Sequence, residues 1–312
     1  MLFERPLFLL LMLTALSLGA AESDLRLFDA VWENVCRRHY DPDFAAKHRD
    51  LHDRYRPQVA AAKTPGEAVR LINRMLAETG ESHLVLLPPE PDVPQDEVAE
   101  DAIAFDAGNL RMNVRYEAER LSETAGVLRF SAFVPEVVKR FRRDLKTCFA
   151  GCRGLIIDLR GNPGGVMETA KHLASWCTPE RIGLGTMTID GTPLAFRSAP
   201  QKGAFRGKIA ILIDGGSCST SEIFAAAMQD AGAARLFGAA SPGQCLPSLI
   251  VPMPDGSRLQ LAFGDVRRAN GDRIEGVGVT PDEPCTDDEA VEKARQWIDE
   301  KTFFEEIFTW WN

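Results

Sequence analysis

The fold is decided by the stretch from Lys208 to Asp230, which reads KIAILIDGGSCSTSEIFAAAMQD. Its first seven residues form a short, apolar, β-branched run that predicts a buried strand. Two glycines then introduce a tight turn, and apolar residues recur on one helical face until Gly232 ends the helix. The pattern therefore indicates a strand, a glycine turn and a helix.

Hydroxyl and thiol side chains crowd the start of this helix at Ser217, Cys218, Ser219 and Ser221. A helix N-terminus offers unpaired N–H groups and positive potential. A nucleophilic hydroxyl placed there would find its oxyanion stabilised. The structural interpretation is a capping box, in which Ser219 and Glu222 need no chemistry. On this stretch alone the cap is favoured, and the rest of the chain decides between the two.

The neighbouring sequence repeats the same alternation. Residues 154–159 predict another buried strand, and the loop Arg160-Gly-Asn-Pro-Gly-Gly165 leads from it into a helix over 166–176. Strand–helix–strand alternation from 126 to 238 predicts parallel βαβ units. The fold class is therefore α/β, and residues 88–312 are assigned to this core.

Three predicted helices precede the core and form a small N-terminal helical subdomain, residues 22–87. The clearest start is Thr64-Pro-Gly-Glu67, which combines an N-cap, a proline at the first helical position and a glutamate at the third. After these helices, Ser82-His83 leads a short apolar strand. A single His at a strand start is usually structural, so His83 matters only if a nucleophile elsewhere requires a base.

Composition and charge exclude several classes of function. Of the 312 residues, 45% are hydrophobic and 26% are charged, which is ordinary for a globular protein with a sizeable core. The formal net charge is −9, and no long basic run compensates for it. This charge argues against nucleic acid and against an anionic membrane surface as partners.

Residues 1–21 predict a signal peptide. A short n-region precedes an almost wholly apolar run over 7–18, and small residues follow at 19–21. A membrane anchor is the alternative, but the run is short for a membrane span. We therefore expect an exported chain, periplasmic or secreted, whose mature form begins near Ala21 or Glu22 and spans no membrane.

Seven cysteines in an exported chain predict disulfides, and their odd number leaves at least one thiol over. Cys148 and Cys152 are close enough in sequence to close a small loop. A metal site is the weaker interpretation, because no Cys-x-x-Cys pair occurs. We therefore expect no metal.

Several motifs, taken in order, resemble a known family. They are Asp158-Leu-Arg-Gly-Asn-Pro-Gly-Gly165, Ser219-Thr-Ser-Glu222 and Glu275-Gly-Val-Gly-Val-Thr-Pro-Asp282. The family is that of the serine peptidases which include the carboxyl-terminal processing (tail-specific) proteases, the tricorn core protease and the interphotoreceptor retinoid-binding protein modules. The N-terminal helices and Ser82-His83 fit the same order. The resemblance implies a ClpP/crotonase-like core of βαβ units behind the helical subdomain.

The family has two catalytic arrangements. The tail-specific proteases use a Ser–Lys dyad, but the position that matches their lysine is Gln244, and a glutamine cannot act as a general base. The tricorn-type arrangement uses a Ser-His pair, the nucleophilic serine and a late glutamate. This chain has Ser82-His83, Ser219 and Glu275 at the matching positions. That match outweighs the purely structural interpretation of the capping box.

The resemblance implies a role for each of these side chains. Ser219 would be the nucleophile and His83 its general base, because a neutral hydroxyl needs a base and an imidazole titrates near neutrality. Ser82 and Glu275 would complete the tetrad and orient or tune that pair.

The same match places the oxyanion hole at two backbone N–H groups. One belongs to Thr220 and the other to a glycine of the Asn162-Pro-Gly-Gly165 loop, with Gly164 as the first choice and Gly165 as the reserve. Glycines there let a backbone approach a substrate closely. The loop can also be a tight strand-to-helix turn, and both roles are compatible.

The chain departs from the family pattern in two ways. Tail-specific proteases usually carry a PDZ domain, but the roughly 38 residues between Pro88 and Gly126 are too few for one. Cys218 adjoins the nucleophile, and Cys245 follows Gln244, whose family counterpart lies near the nucleophile. The resemblance therefore suggests a Cys218–Cys245 disulfide that braces the site.

The resulting hypothesis is an exported serine endopeptidase that cleaves peptides or unstructured protein tails through a Ser219 acyl-enzyme, without a metal or organic cofactor. The opposing interpretation is a catalytically silent binding module for an apolar ligand, as in the retinoid-binding relatives. A crotonase-like acyl-CoA enzyme is a weaker third alternative. The substrate and the oligomeric state are left open.

Overall fold

The structure is a computed structural model that describes residues 5–89, 103–106 and 111–300, with only the helical backbone described for residues 5–21. Its helices are α1 (Arg5–Arg38), α2 (Phe44–Lys47), α3 (Arg49–Ala60), α4 (Pro65–Ala77), α5 (Pro135–Asp144), α6 (Met167–Cys177), α7 (Thr220–Asp230) and α8 (Asp287–Asp299). Its strands are β1 (Val85–Leu87), β2 (Ile103–Asp106), β3 (Arg111–Val114), β4 (Tyr116–Arg120), β5 (Ala125–Phe130), β6 (Gly154–Asp158), β7 (Gly183–Ile189), β8 (Thr192–Arg197), β9 (Lys208–Ile213), β10 (Arg235–Gly238), β11 (Ser248–Pro252), β12 (Arg258–Ala262), β13 (Gly264–Arg267) and β14 (Glu283–Pro284).

The described chain divides into two compact units. The first contains residues 5–89, the turn at 189–191 and residues 246–265, and the second contains the remaining described residues. The sequence analysis assigns 246–265 to the catalytic core instead. The difference arises because β12 pairs with β1, with Val85 opposite Gln260. A pairing between residues so far apart in the chain leaves no local sequence signal.

The first unit combines helices α1, α3 and α4 with a three-stranded antiparallel sheet in the order β1-β12-β11. The predicted start of α4 is confirmed, since the Thr64 hydroxyl accepts a hydrogen bond from Glu67 N at 3.2 Å and Pro65 is the first helical residue. The hydrophobic core of this unit includes the fully buried side chains of Phe28, Val31, Val35, Phe44, Val59, Ile72, Met75, Leu76, Leu259 and Leu261.

The second unit is built on a six-stranded sheet in the order β14-β10-β9-β6-β5-β4. Strands β5, β6, β9, β10 and β14 are parallel, and β4 is antiparallel to β5. Helices α5, α6 and α7 connect successive parallel strands. The predicted α/β class is confirmed, and the strand and helix expected over 208–230 are β9 and α7. Two smaller sheets have the orders β13-β7-β8 and β2-β3.

Both faces of the large sheet are covered. On β9, Ile209, Ile211 and Ile213 belong to the core that includes α5, α6 and α7, whereas Ala210 and Leu212 belong to the core beneath α8. Alternate residues of a strand point to opposite faces. A parallel strand buried on both sides therefore needs a continuous apolar run, as found in the sequence.

The predicted signal peptide coincides with the first half of α1, because residues 5–21 are helical and residues 1–4 lie outside the described residues. Among the described residues, no helix is both long enough and apolar enough to cross a membrane.

The carboxyl end of β6 is held by a buried ion cluster. The Asp158 carboxylate is fully buried and accepts hydrogen bonds from the guanidinium groups of Arg160 and Arg129. Burial raises the pKa of Asp158, but these hydrogen bonds outweigh it and hold the pKa below the usual Asp value. Arg160 also donates to the Asp287 carbonyl at 2.6 Å, so the cluster ties the start of the glycine loop to α8.

The substitution Asp158→Asn tests this cluster. At pH 7 we expect the free energy of unfolding to fall by about 3 kcal/mol, near the lower end for a broken buried ion pair because Arg129 is half exposed. A lowered folded-state pKa stabilises the protein above the unfolded value of 3.8 and loses this effect as the pH falls. Urea unfolding of both proteins should show the difference shrinking between pH 7 and pH 3. A difference that does not change with pH would contradict the ion-pair origin.

Candidate active site

Ser219 lies in the turn between β9 and α7 and is the N-cap residue of α7. Its φ is +56°, which residues other than glycine rarely adopt. Such a conformation persists only where surrounding contacts hold it. Here the Ser219 N–H is shared between the Gln244 carbonyl at 2.7 Å and Glu222 Oε2 at 3.0 Å.

The Glu222 carboxylate is completely buried next to Ser219. Besides the Ser219 N–H, it accepts hydrogen bonds from Gln244 N at 2.9 Å, Gly243 N at 2.7 Å and Ser241 Oγ at 2.6 Å. Burial raises the pKa of Glu222, and these hydrogen bonds oppose that effect. The capping contact expected from the sequence is therefore present, but the same carboxylate also fixes the segment 241–244 against the turn at Ser219.

The glycine loop lies directly against Ser219. Gly164 has a φ of +101°, and a Cβ atom on it would lie 2.8 Å from both Ser219 Cβ and Thr220 N. The Thr220 hydroxyl donates to the Gly165 carbonyl at 2.7 Å. Only glycine at position 164 allows this close approach of the loop to the start of α7.

The two glycines differ in where their N–H groups point. The Gly164 N–H donates to Asn162 Oδ1 at 2.9 Å, so it is used within the loop. The Gly164 carbonyl accepts from Phe133 N at 2.8 Å. In a planar trans peptide the N–H points opposite to the carbonyl, so the Gly165 N–H points away from Phe133. This arrangement favours Gly165 over Gly164 as a donor to a bound group.

Glu275 reaches the same region from the late motif. Its side chain is buried, and Oε2 accepts a hydrogen bond from Cys245 N at 2.7 Å. The next residue, Gly276, donates its N–H to the Gly243 carbonyl at 2.8 Å. The segment 243–245 is therefore bound on one side to Glu275 and on the other to Ser219.

Ser82 and His83 form a hydrogen-bonded pair in the first unit, with Ser82 Oγ 2.8 Å from His83 Nδ1. His83 has a φ of +55°. The preceding Glu81 accepts hydrogen bonds from the Tyr40 hydroxyl at 3.1 Å and lies 3.6 Å from His39 Nε2. The turn that carries the pair is thus held against the end of α1.

The predicted site residues lie in both units. The first unit contains Ser82 and His83, and the second contains Ser219, Thr220, Gly164, Gly165 and Glu275. Sequence reasoning assigned no functional part to two further residues, Asn162 and Ser241, and treated Glu222 only as a cap. The spacing of Ser219 and Glu222 was the available signal, but it does not reveal the contacts with 241–244.

The suggested Cys218–Cys245 disulfide is not present. All seven cysteines lie in the described part of the chain, and none of them forms a disulfide. The Cys245 thiol is buried and faces the Ser219 carbonyl, with Sγ and O 3.7 Å apart, instead of bonding to Cys218. The loop expected between Cys148 and Cys152 is likewise not closed by a disulfide.

His48 and His52 stand four residues apart, a spacing that suits a metal ion on a helix. His48 precedes α3 as its N-cap residue, and His52 lies in the first turn. Within the described ranges, however, no cluster of three or more His, Cys, Asp or Glu side chains is arranged to hold a metal ion.

Comparison with known families gives two matches. The family described as peptidase family S41 matches residues 124–285, just over half of the chain. The family described as the tricorn protease C1 domain matches residues 24–77, within the first unit.

Individual proteins agree with these matches. The carboxyl-terminal-processing protease of Synechocystis is 29% identical over 165 residues, which are 53% of this chain and 38% of that protein. This chain therefore spans well under half of that relative. Among solved structures, the tricorn protease has a TM-score of 0.62 and 17% identity, covering 89% of this chain and 36% of that one. The photosystem II D1 C-terminal processing protease has a TM-score of 0.58 and 14% identity, covering 89% and 98%.

At these identities the solved structures show a shared fold, whereas the S41 match spans the glycine loop, the turn at Ser219 and Glu275. The resemblance drawn from the sequence motifs is confirmed: the chain belongs to peptidase family S41.

Proposed function

We propose that this protein is a serine endopeptidase that cleaves peptides or unstructured protein tails, with Ser219 as its nucleophile. The observation that carries the proposal is the strained turn at Ser219, which heads α7 and lies against the glycine loop. A turn with an unfavourable φ held by a buried carboxylate is expected where a side chain must be presented to a substrate. The names of the relatives, which describe carboxyl-terminal processing, support a tail as the substrate.

The reaction follows the usual course of acyl transfer. The Ser219 hydroxyl attacks the peptide carbonyl while His83 takes its proton, and the protonated imidazole then returns a proton to the leaving amine. Water then attacks the acyl-enzyme while His83 takes a proton from it, and the protonated imidazole returns a proton to Ser219 Oγ. Ser82 supports His83 through its 2.8 Å hydrogen bond, and Glu275 completes the tetrad.

We assign the stabilisation of the negatively charged oxygen of the tetrahedral intermediate to two backbone N–H donors. The Thr220 N–H belongs to the first turn of α7, where N–H groups have no partner within the helix. The Gly165 N–H points away from Phe133 and lies in the loop that contacts Ser219. We prefer this pair to the combination with Gly164, whose N–H already binds Asn162.

Cys218 is a poor alternative nucleophile. Burial raises the pKa of its thiol, and the nearby carboxylates of Glu222 and Asp214 raise it further. The thiolate is the reactive form of a cysteine, so a raised pKa keeps Cys218 unreactive at neutral pH.

Export from the cytoplasm completes the proposal. The apolar run over 7–18 followed by small residues supports a signal peptide over residues 1–21. The net charge of −9 supports a peptide or protein substrate and no nucleic acid. No metal or organic cofactor is needed for the hydrolysis.

The first test compares wild type, Ser219→Ala and Cys218→Ala on an unfolded protein substrate, with fragments identified by mass spectrometry. We expect fragments from wild type and Cys218→Ala, and a loss of about five to six orders of magnitude in rate for Ser219→Ala. Equal cleavage by Ser219→Ala would contradict the nucleophile. The absence of cleavage by every protein, including wild type, would favour a binding module for an apolar ligand.

The role of His83 is tested by His83→Ala, with His172→Ala as a matched control because His172 is exposed on α6. We expect kcat to fall by about four to six orders of magnitude for His83→Ala and to change little for the control. Activity of His83→Ala close to that of wild type, under conditions in which His172→Ala is fully active, would rule out His83 as the base.

Export is tested by expressing the full chain with its own N-terminus in a Gram-negative host and sequencing the N-terminus of the periplasmic product. We expect it to begin near Ala21 or Glu22 because small residues precede the cleavage point. An uncleaved chain that stays in the cytoplasm would contradict the proposed export.

A further inference from the structure

Asn162 is buried at the centre of the second unit's site, with 1% of its surface exposed. It follows β6 by four residues and lies in the glycine loop. Its side-chain Nδ2 donates to the Phe130 carbonyl at 2.7 Å, and its Oδ1 accepts from the Gly164 N–H at 2.9 Å. Both functional atoms of the amide are therefore used.

The same residue also binds the nucleophile turn. The Ser221 hydroxyl shares its single proton between Asn162 Oδ1 at 3.0 Å and the Asn162 carbonyl at 2.9 Å. The Asn162 carbonyl further accepts from the Cys218 N–H at 3.0 Å. Residues on both sides of Ser219 are thus tied to one asparagine, which in turn is tied to the end of β5 at Phe130.

These contacts fix the orientation of two successive peptide groups. The group before Gly164 is fixed because its N–H binds Asn162 Oδ1, and the group after it is fixed because the Gly164 carbonyl binds Phe133 N. With both planes fixed, the direction of the Gly165 N–H is determined. Since Gly164 also lies against Ser219 and Thr220, that direction is set relative to the nucleophile.

We infer that Asn162 is the positioning residue of the oxyanion hole. Its buried amide holds the glycine loop and the Ser219 turn in the relative position that directs the Gly165 N–H toward the reacting carbonyl. The inference rests on the proposed peptidase function. Asn162 itself does not contact substrate, because its polar atoms are buried and occupied.

The chemistry of the side chain explains why an asparagine is needed. The site requires one donor, for the Phe130 carbonyl, and one acceptor, for the Gly164 N–H and the Ser221 hydroxyl. An amide of this length provides both, whereas an ionised carboxylate provides only acceptors and an alanine provides neither. Buried partners left without a hydrogen bond are costly, so the loop would turn to satisfy them.

The test uses a peptide aldehyde and the matching peptide alcohol, with a sequence taken from the cleavage sites found for wild type. When the aldehyde binds, a bond forms between Ser219 Oγ and the carbonyl carbon, the carbonyl π electrons become the oxyanion, and the hydroxyl proton passes to the general base. The alcohol makes the same side-chain contacts but forms no oxyanion. The ratio of the two affinities therefore cancels the shared side-chain contacts and reports the addition to Ser219 together with the stabilisation of the oxyanion.

For Asn162→Ala we expect the aldehyde affinity and kcat to fall by about 10²-fold to 10³-fold, the effect of losing one oxyanion donor, with little change in alcohol affinity or KM. The matched control is Asn270→Ala, since Asn270 is exposed on a turn of the same unit, and it should leave the ratio unchanged. If Asn162→Ala does not fold, Ser221→Ala removes one donor from the same network and should lower the ratio in the same direction by a smaller factor.

If Asn162→Ala folds and the ratio of the aldehyde and alcohol affinities is unchanged, the positioning role is overturned. Cleavage of the substrate by wild type would still support the proposed function in that case. A wild-type protein that neither cleaves the substrate nor prefers the aldehyde would instead overturn the proposed function, and the positioning role with it.

Discussion

The site of the second unit depends on holding Ser219 at a φ of +56°. No intrinsic preference of serine favours this conformation, so the contacts of the turn must offset its conformational cost. On one side the buried Glu222 carboxylate and the Gln244 carbonyl share the Ser219 N–H. On the other side Asn162 binds the flanking residues 218 and 221. The turn is therefore clamped between two buried polar side chains.

The parallel sheet explains why these groups meet. Phe130 ends β5, the glycine loop follows β6 and the turn at Ser219 follows β9, and these three strands are parallel neighbours. The carboxyl ends of parallel strands lie at one edge of a sheet, where loops from successive units converge. Asp158 stabilises the same edge by its buried pairing with Arg160. A fold of βαβ units thus provides a rigid edge on which a strained turn can be supported.

The buried Glu222 carboxylate satisfies its oxygens by four hydrogen bonds from N–H and O–H donors. Three of these donors belong to residues 241–244, the segment that contains Gln244. Because the contacts of Gln244 with Glu222 and Ser219 are made by its backbone, the side chain at this position can change while the backbone support of Ser219 is kept.

Local pattern in the sequence was enough for the α/β class, the strand and helix around Ser219, the cap of α4 and the family motifs, because each depends on residues close together in the chain. The placement of residues 246–265 with the first unit depended on the pairing of β12 with β1, which no local pattern encodes. Likewise the directions of the Gly164 and Gly165 N–H groups follow from partners at Asn162 and Phe133, and the Cys245 thiol faces a carbonyl instead of Cys218. The sequence by itself determined which residue types occur at the site, whereas only the tertiary structure decided which hydrogen-bond donors are already used, because that depends on contacts between segments far apart in the chain.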